Sequence, residues 1–211
     1  EYSAFQIIVE PRTALDAKHL ISLGFKQSNK PYLPSKTLYL DLTRSKKEIL
    51  NSFKKETRRI VKKLENHKTK QVKDIDEFRK AWKKAVPKKR YVPAKQALKD
   101  LKQSFKSRAL FLLSENNSAG AIFLKSNGIS YYWQAFAGKK ARENNSQYKV
   151  VWEGIEWAKH KGSKIFDFEG IYDRRFPKES WKGFSFFKKG FGGEEKTYPG
   201  TFIKTKLLKN W

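Results

Sequence analysis

The segment from residue 109 to residue 168 places the strongest constraint on the fold of this chain. Three strand patterns follow one another closely, and Asn127-Gly128 between the second and third is a strong β-hairpin signal. A helical pattern and a fourth strand come next. An antiparallel meander followed by a helix and a strand predicts an α+β layer rather than a doubly wound sheet. The predicted strands cover 109–114, 119–125, 129–136 and 165–168, and the predicted helix covers 146–160.

The N-terminal part is expected to add two strands and a short helix. Residues 2–9 predict a buried strand that ends at Glu10-Pro11, because proline cannot donate a hydrogen bond to a strand ladder. Thr13 is suited to cap a short helix that stops at Gly24. Residues 36–42 alternate enough to predict a second strand. Two further helices are predicted over 74–85 and 92–105.

A helix rich in basic residues is predicted after the second strand. Ser45 and Glu48 form a capping box at its start, and the apolar spacing predicts one long helix that continues to Leu64. Its opposite face carries six positive charges, which either form a solvated face or bind a polyanion. Basic residues continue beyond both ends of the helix, which favours binding. The six residues are Lys54, Lys55, Arg58, Arg59, Lys62 and Lys63.

The excess of positive charge bears on the choice of partner. The chain has 47 Lys and Arg against 21 Asp and Glu, which gives a net charge of +26. A lysine-rich genome would explain many lysines but not the shortage of acidic residues beside them. The charge therefore favours a polyanion such as nucleic acid, anionic lipid or a phosphorylated substrate.

Several kinds of site are disfavoured by the residues that the sequence lacks. There is no cysteine, which excludes disulfides, zinc–thiolate sites and a cysteine nucleophile. His19, His67 and His160 lie far apart, so we do not predict a metal enzyme. No dinucleotide fingerprint, phosphate loop or nucleophile elbow is present, and no cofactor is predicted. No apolar run approaches the roughly 20 residues that a membrane-spanning helix needs.

The segment from Trp181 to Phe191 combines aromatic and basic residues, in the order W-K-G-F-S-F-F-K-K-G-F. One interpretation is a core segment whose aromatic rings pack together while the lysines point outward. A second interpretation keeps this packing and adds a lysine that is fixed beside a site. Aromatic residues interleaved with lysines also suit a platform for single-stranded nucleic acid.

An ordered set of motifs, spread over nearly the whole chain, resembles the FemABX family of aminoacyltransferases. In the first half the motifs are Glu10-Pro11, Gly24-Phe25, the T-x-x-x-D-L strand at 37–42 and the K-K-x-T-R helix at 54–63. In the second half they are the tyrosine-containing strand at 131–135, the W-E…D-F-x-G pattern at 152–170 and F-K-x-x-F-G-G at 187–193. One such motif would be weak, but the ordered set is specific. Ile8 departs from the pattern, since the family commonly has an arginine there.

The resemblance implies a GNAT-like (acyl-CoA N-acyltransferase-like) α+β fold, in which helices flank a mixed sheet. It implies that residues 1–70, with the basic helix, form the C-terminal part of a first GNAT-like subdomain. Residues 71–211 would then form the second subdomain, and the family's N-terminal portion would precede the chain.

The resemblance also implies an activity. FemABX enzymes transfer an amino acid from aminoacyl-tRNA to the stem peptide or interpeptide bridge of a peptidoglycan precursor. The implied partners are aminoacyl-tRNA and either UDP-MurNAc-pentapeptide or lipid II. The implied location is the bacterial cytoplasm, with contact to an anionic membrane surface at the inner face of the plasma membrane as a further expectation.

Five residues are implied to form the site. Lys188 matches the family's lysine and is expected to stabilise the oxyanion or the terminal ribose-phosphate of the tRNA. Glu10 is the expected general base by its position. Arg90 and Tyr131 are expected to contact the diphosphate or sugar of a UDP-linked precursor, since a guanidinium grips phosphate in a fork. Arg58 is a further expected substrate-binding residue, with a structural brace as its alternative role.

Two other functions remain open. One is a GNAT-like N-acyltransferase that uses acyl-CoA or acyl carrier protein. The positive charge of the chain fits tRNA better than coenzyme A. In addition, residues 137–142 do not form the arginine- or glutamine-led glycine loop of CoA-dependent enzymes. The other is a non-catalytic RNA-binding protein that holds RNA with the basic helix and the aromatic tail.

Overall fold

The computed structural model describes residues 6–88 and 90–205. These residues divide into two units. Unit 1 contains residues 6–38, 169–188 and 194–205, and unit 2 contains residues 39–168 and 189–193. The boundary expected after residue 70 concerns subdomains of the family, and it stays a prediction.

Ten strands and eight α-helices are assigned within the described residues. The helices are α1 (Ala14–Ser22), α2 (Lys46–Ser52), α3 (Lys55–Lys63), α4 (Ile75–Ala85), α5 (Lys95–Phe105), α6 (Lys139–Glu143), α7 (Ser146–His160) and α8 (Lys182–Lys189). The strands are β1 (Gln6–Val9), β2 (Lys26–Gln27), β3 (Lys36–Asp41), β4 (Thr69–Gln71), β5 (Ala109–Ser114), β6 (Ala119–Ser126), β7 (Ile129–Ala137), β8 (Ile165–Gly170), β9 (Glu194–Thr197) and β10 (Phe202–Thr205). One sheet has the order β1-β10-β2, and a seven-stranded sheet has the order β4-β5-β6-β7-β8-β3-β9. The predicted α+β class, with helices flanking a mixed sheet, is confirmed.

The predicted meander forms the centre of unit 2. The strands β5, β6 and β7 pair antiparallel, and β7 pairs with β8 in parallel. Asn127 and Gly128 both have positive φ, 48° and 76°, as a tight two-residue hairpin turn requires. Neighbouring residues of a strand point to opposite faces, and here Ile122 packs in the cluster with Phe78 of α4 while Phe123 lies against Gly154 of α7. Helices therefore cover both faces of the meander.

The basic helix is interrupted, which corrects the prediction of one long helix. The capping box of Ser45 and Glu48 is present, but α2 ends at Ser52, and the backbone of Phe53 after it is extended with ψ 148°. The Phe53 ring is buried against Trp152 and Phe191, at centroid distances of 5.5 and 5.2 Å. The next residue, Lys54, donates its backbone N–H to the Gly190 carbonyl oxygen at 2.9 Å. Burial of this ring and the new backbone hydrogen bond break the helix before α3 begins.

The first strand differs from its prediction. Only residues 6–9 of the expected strand 2–9 lie in the described part of the chain, and β1 is exposed rather than buried. Ile7 is 46% exposed because β1 lies at the edge of the three-stranded sheet and pairs with β10. None of the described helices has the length and apolar character that crossing a bilayer would require.

Candidate functional site

Lys188 lies in α8 of unit 1 and is half-buried. Its Nζ donates a hydrogen bond of 2.8 Å to the Gly170 carbonyl oxygen. The same ammonium lies 5.0 Å from the centroid of the Phe184 ring, within the range of a cation–π interaction. A neutral carbonyl oxygen and an aromatic face thus hold the ammonium in place. Such a group can stabilise negative charge on a ligand oxygen.

Buried Ser185 fixes the beginning of α8. Its hydroxyl donates to the Trp181 carbonyl oxygen at 2.6 Å and accepts the Tyr172 N–H at 2.7 Å. One side chain thus ties the first turn of α8 to the segment that follows β8. This tie brings Lys188 to the end of the strand, where Gly170 lies.

The backbone at the end of β8 adopts a strained conformation. Glu169 has a φ of 59°, a left-handed value that is costly for a residue with a side chain, at about 1–3 kcal/mol. Its carbonyl oxygen accepts a hydrogen bond of 2.6 Å from the Thr37 hydroxyl. The next residue, Gly170, has no room for a side chain, since a Cβ there would lie 2.6 Å from Trp181 and 2.8 Å from Pro34. Strain of this kind clusters at functional sites, which supports this turn as part of one.

An ion pair between buried Asp173 and exposed Arg175 holds the loop after β8. The Asp173 carboxylate accepts hydrogen bonds from Ser35 Oγ at 2.8 Å and from Arg175 Nη2 at 2.7 Å. Arg175 also donates to the carbonyl oxygens of Ser35 and Tyr198, at 3.2 and 2.7 Å. Burial raises the pKa of Asp173, but hydrogen bonds from Arg175 and Ser35 outweigh it and hold the pKa below its ordinary value. The loop that follows Gly170 is therefore anchored by a charged carboxylate.

This ion pair predicts how stability responds to acid. Because the native pKa of Asp173 is lowered, its contribution to stability is complete above the ordinary pKa and is lost as the pH falls through the native value. We expect Asp173→Asn to lower the free energy of unfolding at neutral pH by about 1 kcal/mol. Between about pH 5 and pH 2 the variant should lose less stability than the wild type does. Urea unfolding across this pH range measures both effects. An equal fall in the free energy of unfolding of the two proteins over this range would contradict the prediction.

Glu10 belongs to the same unit and acts as a loop anchor. Its Oε1 accepts backbone N–H groups from Tyr32 at 3.2 Å and Leu33 at 3.0 Å, and it also accepts the Thr201 hydroxyl. The anchored residues lead into Pro34, which packs against Gly170. The structure thus places Glu10 and Lys188 in one unit. Lys188 contacts Gly170 directly, and Glu10 anchors the residues that precede Pro34. The catalytic role of Glu10 stays a prediction.

The other three expected residues lie in unit 2, in three different elements. Arg58 of α3 donates from Nη1 to the Asn51 carbonyl oxygen at 2.8 Å, which braces the connection between α2 and α3. Arg90 is exposed in the loop after α4. Tyr131 lies in β7 and pairs in register with Asp167 of β8. Their roles in substrate binding stay predictions.

Sequence patterns did not point to two buried amide oxygens in unit 2. Gln134 of β7 and Gln147 of α7 each have a side-chain Oε1 that is buried and has no hydrogen-bond partner within the described residues. Gln147 Nε2 donates to the Tyr132 hydroxyl oxygen at 2.6 Å, and burial raises the pKa of Tyr132. Gln134 pairs in register with Ile122, which lies on the face covered by α4, whereas Gln147 belongs to α7 on the other face. The two buried acceptors therefore lie on opposite faces of the meander and do not form one ligand site.

No described group of His, Asp and Glu side chains could hold a metal ion. No protein-family model and no curated protein sequence matches the chain.

The fold is similar to those of several solved structures. FemX matches with a TM-score of 0.79 and 15% identity, over 96% of this chain and 72% of FemX. L-PGS from Bacillus licheniformis matches with a TM-score of 0.59 and 14% identity, over 94% of this chain and 68% of that protein. A GCN5-related N-acetyltransferase from Sphaerobacter thermophilus matches with a TM-score of 0.53 and 9% identity, over 95% of this chain and 59% of that protein. The chain therefore has the GNAT-like fold that FemX also has, as its motifs implied.

Proposed function

We propose that this chain is an aminoacyltransferase that moves an amino acid from aminoacyl-tRNA to an amine of a peptidoglycan precursor. The main support is the half-buried Lys188 ammonium, fixed at the end of β8 by the 2.8 Å hydrogen bond to Gly170. The residue lies in the F-K-x-x-F-G-G motif, and the fold matches FemX with a TM-score of 0.79. The proposed acceptor is the stem peptide or interpeptide bridge of UDP-MurNAc-pentapeptide or lipid II.

The proposed reaction is the attack of an amine on the ester that joins the amino acid to the terminal ribose of the tRNA. The carbonyl passes through a tetrahedral oxyanion, which Lys188 stabilises by donating a hydrogen bond. The amine loses a proton, which Glu10 accepts through Oε2, because the anchoring contacts occupy Oε1. The intermediate then collapses to an amide, and the ribose oxygen leaves and takes up a proton. The reaction needs no cofactor in this scheme.

The exposed face of α3 supports tRNA as the donor. Lys55, Lys62 and Lys63 are exposed, and none of them forms an ion pair within the described part of the chain. The only acidic residue of this helix, Glu56, is paired with Arg59 at 2.6 Å. Exposed lysines without acidic partners are suited to displace the counterions of a phosphate backbone.

Removal of these charges should weaken tRNA binding. We expect the triple variant Lys55→Ala, Lys62→Ala and Lys63→Ala to bind tRNA more weakly and to lower the slope of log affinity against log salt by about 2–3. Filter binding at several salt concentrations measures the slope. A double variant outside α3 serves as the control: Lys99→Ala in α5 with Lys106→Ala directly after α5. An equal loss of tRNA affinity per lysine in both variants would show that binding depends on total charge and not on α3.

A second candidate function is acyl transfer from acyl-CoA or acyl carrier protein. The structural similarity to a GCN5-related N-acetyltransferase favours it, although the TM-score of 0.53 is lower than that for FemX. This function predicts binding of coenzyme A and indifference to tRNA.

The deciding experiment supplies the protein with tRNA charged with radiolabelled glycine, alanine or serine. The acceptors are UDP-MurNAc-pentapeptide and, in a separate reaction, lipid II. Transfer of label to either acceptor would establish the proposed function. If tRNA binds but no label moves, a non-catalytic RNA-binding protein becomes the better explanation. If tRNA does not bind and coenzyme A does, the second candidate replaces the first.

A further inference from the structure

The side of α8 that carries Lys188 also carries the ring of Phe184. These residues lie four positions apart, so their side chains are neighbours on the helix surface. The Lys188 Nζ lies 5.0 Å from the centroid of the Phe184 ring. Trp181, directly before the helix, has its ring centroid 5.2 Å from that of Phe184. Phe184 therefore contacts both the ammonium and the Trp181 ring.

Gly170 connects the other ends of this arrangement. Its carbonyl oxygen accepts the hydrogen bond of 2.8 Å from Lys188 Nζ. A Cβ at Gly170 would lie 2.6 Å from the Trp181 ring, so this ring packs directly on the glycine. Gly170, Trp181, Phe184 and Lys188 thus form a closed circuit, in which each residue contacts two of the others. Trp181 supports the Phe184 ring, and this ring lies against the ammonium.

The ring supplies what the hydrogen bond to Gly170 lacks. A lysine ammonium is a point charge on a flexible stem of four carbons, and a single hydrogen bond leaves that stem free to change its rotamer. An aromatic face attracts the positive charge through the ring quadrupole, and so it favours the ammonium over the neutral amine. Stabilisation of an oxyanion requires a charged donor that is already in position. The Phe184 ring meets both requirements.

We propose that Phe184 is a positioning residue for aminoacyl transfer, whose ring keeps the Lys188 ammonium charged and aligned with the oxyanion. This inference rests on the proposed function and adds a residue to it. The F-K-x-x-F-G-G motif begins at Phe187 and therefore does not include Phe184. Leucine at position 184 would be apolar as well but would not attract the ammonium, which makes the role of the ring testable.

Substitutions at position 184 give the first test. We expect Phe184→Leu to lower the single-turnover transfer rate about tenfold, with tRNA affinity unchanged. Phe184→Trp should keep most of the wild-type rate, because tryptophan attracts cations at least as well as phenylalanine does. In a Lys188→Ala background, Phe184→Leu should lower the rate no further, since the ring acts through that lysine.

Phe186→Leu is the matched control. Phe186 is 77% exposed and lies two positions from Phe184, so it does not share the side of α8 that carries Lys188. This control should transfer at the wild-type rate. An equal loss of rate in Phe184→Leu and Phe186→Leu, or a further loss from Phe184→Leu in the Lys188→Ala background, would overturn the proposal.

Fluorinated phenylalanines at position 184 separate the attraction of the ring from its packing. Each added fluorine weakens the negative face of the ring and nearly preserves its shape. The logarithm of the transfer rate should therefore fall stepwise from one to three fluorines. A constant rate through the series would mean that Phe184 acts by packing alone, and it would overturn the proposal.

Chemical labelling tests the contact without the transfer reaction. Acetic anhydride attacks the neutral amine, so Lys188 should be acetylated at least about twofold faster with trifluorophenylalanine at position 184 than in the wild type. Peptide mass spectrometry measures this rate, with Lys204 in the same sample as the reference. If the wild type transfers no amino acid, the proposed function is wrong. Faster acetylation of Lys188 would then still support Phe184 as its positioning residue, and unchanged acetylation would overturn that role.

Discussion

Replacement of Lys188 by alanine should lower the rate of aminoacyl transfer by about a hundredfold, or about 2.7 kcal/mol of transition-state stabilisation. The reason is that the substitution removes the ammonium, held at 2.8 Å from the Gly170 carbonyl oxygen, that the proposed reaction uses to stabilise its oxyanion. Affinity for tRNA should fall only in proportion to one lost charge. Single-turnover rates with charged tRNA and the soluble UDP-linked acceptor, beside filter binding of tRNA, separate the two effects.

Lys204 offers a matched control in the same unit. Its Nζ also donates to a carbonyl oxygen, that of Leu23 at 2.7 Å, and also lies over a phenylalanine ring, that of Phe25 at 5.9 Å. Lys204→Ala therefore removes the same two kinds of contact from an exposed position away from Gly170. We expect it to leave the transfer rate unchanged. If both variants lose activity and thermal stability alike, Lys188 is a structural residue, and the catalytic role is wrong.

Local signals in the sequence were sufficient for most of the fold. The Ser45–Glu48 capping box and the Asn127-Gly128 turn both depend on residues within four positions of each other, and both are present. The break between α2 and α3 was missed because its cause is distant in sequence. The ring of Phe53 is buried against Trp152 and Phe191, about a hundred or more residues away, and helical periodicity cannot register such a contact.

The candidate site depends even more on contacts between residues that are distant in sequence. Lys188 was found through a motif, but the contacts that hold the loops of unit 1 have no local pattern. Ser35 meets Asp173 across 138 residues, and Glu10 meets Thr201 across 191. The left-handed Glu169 is also invisible in the sequence, because glutamate is not a residue that favours positive φ. Contacts of this kind arise only when the chain has folded.

A close approach between α7 and the meander supplies a second large expected effect. Gly154 of α7 faces Phe123 of β6, and a Cβ at this position would lie 2.2 Å from two carbons of the ring. The ring has little freedom to move, since Phe123 is fully buried and stacks on Tyr132 at 5.6 Å. Gly154→Ala must therefore displace α7 or distort the core, which typically costs 1–3 kcal/mol. Alanine has the higher helix propensity, which offsets part of this cost, and we expect the free energy of unfolding to fall by about 2 kcal/mol.

Gly183 in α8 is the control for this substitution, because a Cβ there would meet no atom within 4 Å. Gly183→Ala should leave stability unchanged or raise it by up to about 1 kcal/mol, since alanine favours a helix more than glycine does. Urea unfolding of both variants and the wild type gives the comparison. A similar small effect of the two substitutions would mean that α7 packs less closely on β6 than the 2.2 Å approach implies. A loss of stability in Gly154→Ala with a gain in Gly183→Ala would instead show that the contact with Phe123 requires glycine at position 154, since alanine by itself does not destabilise a helix.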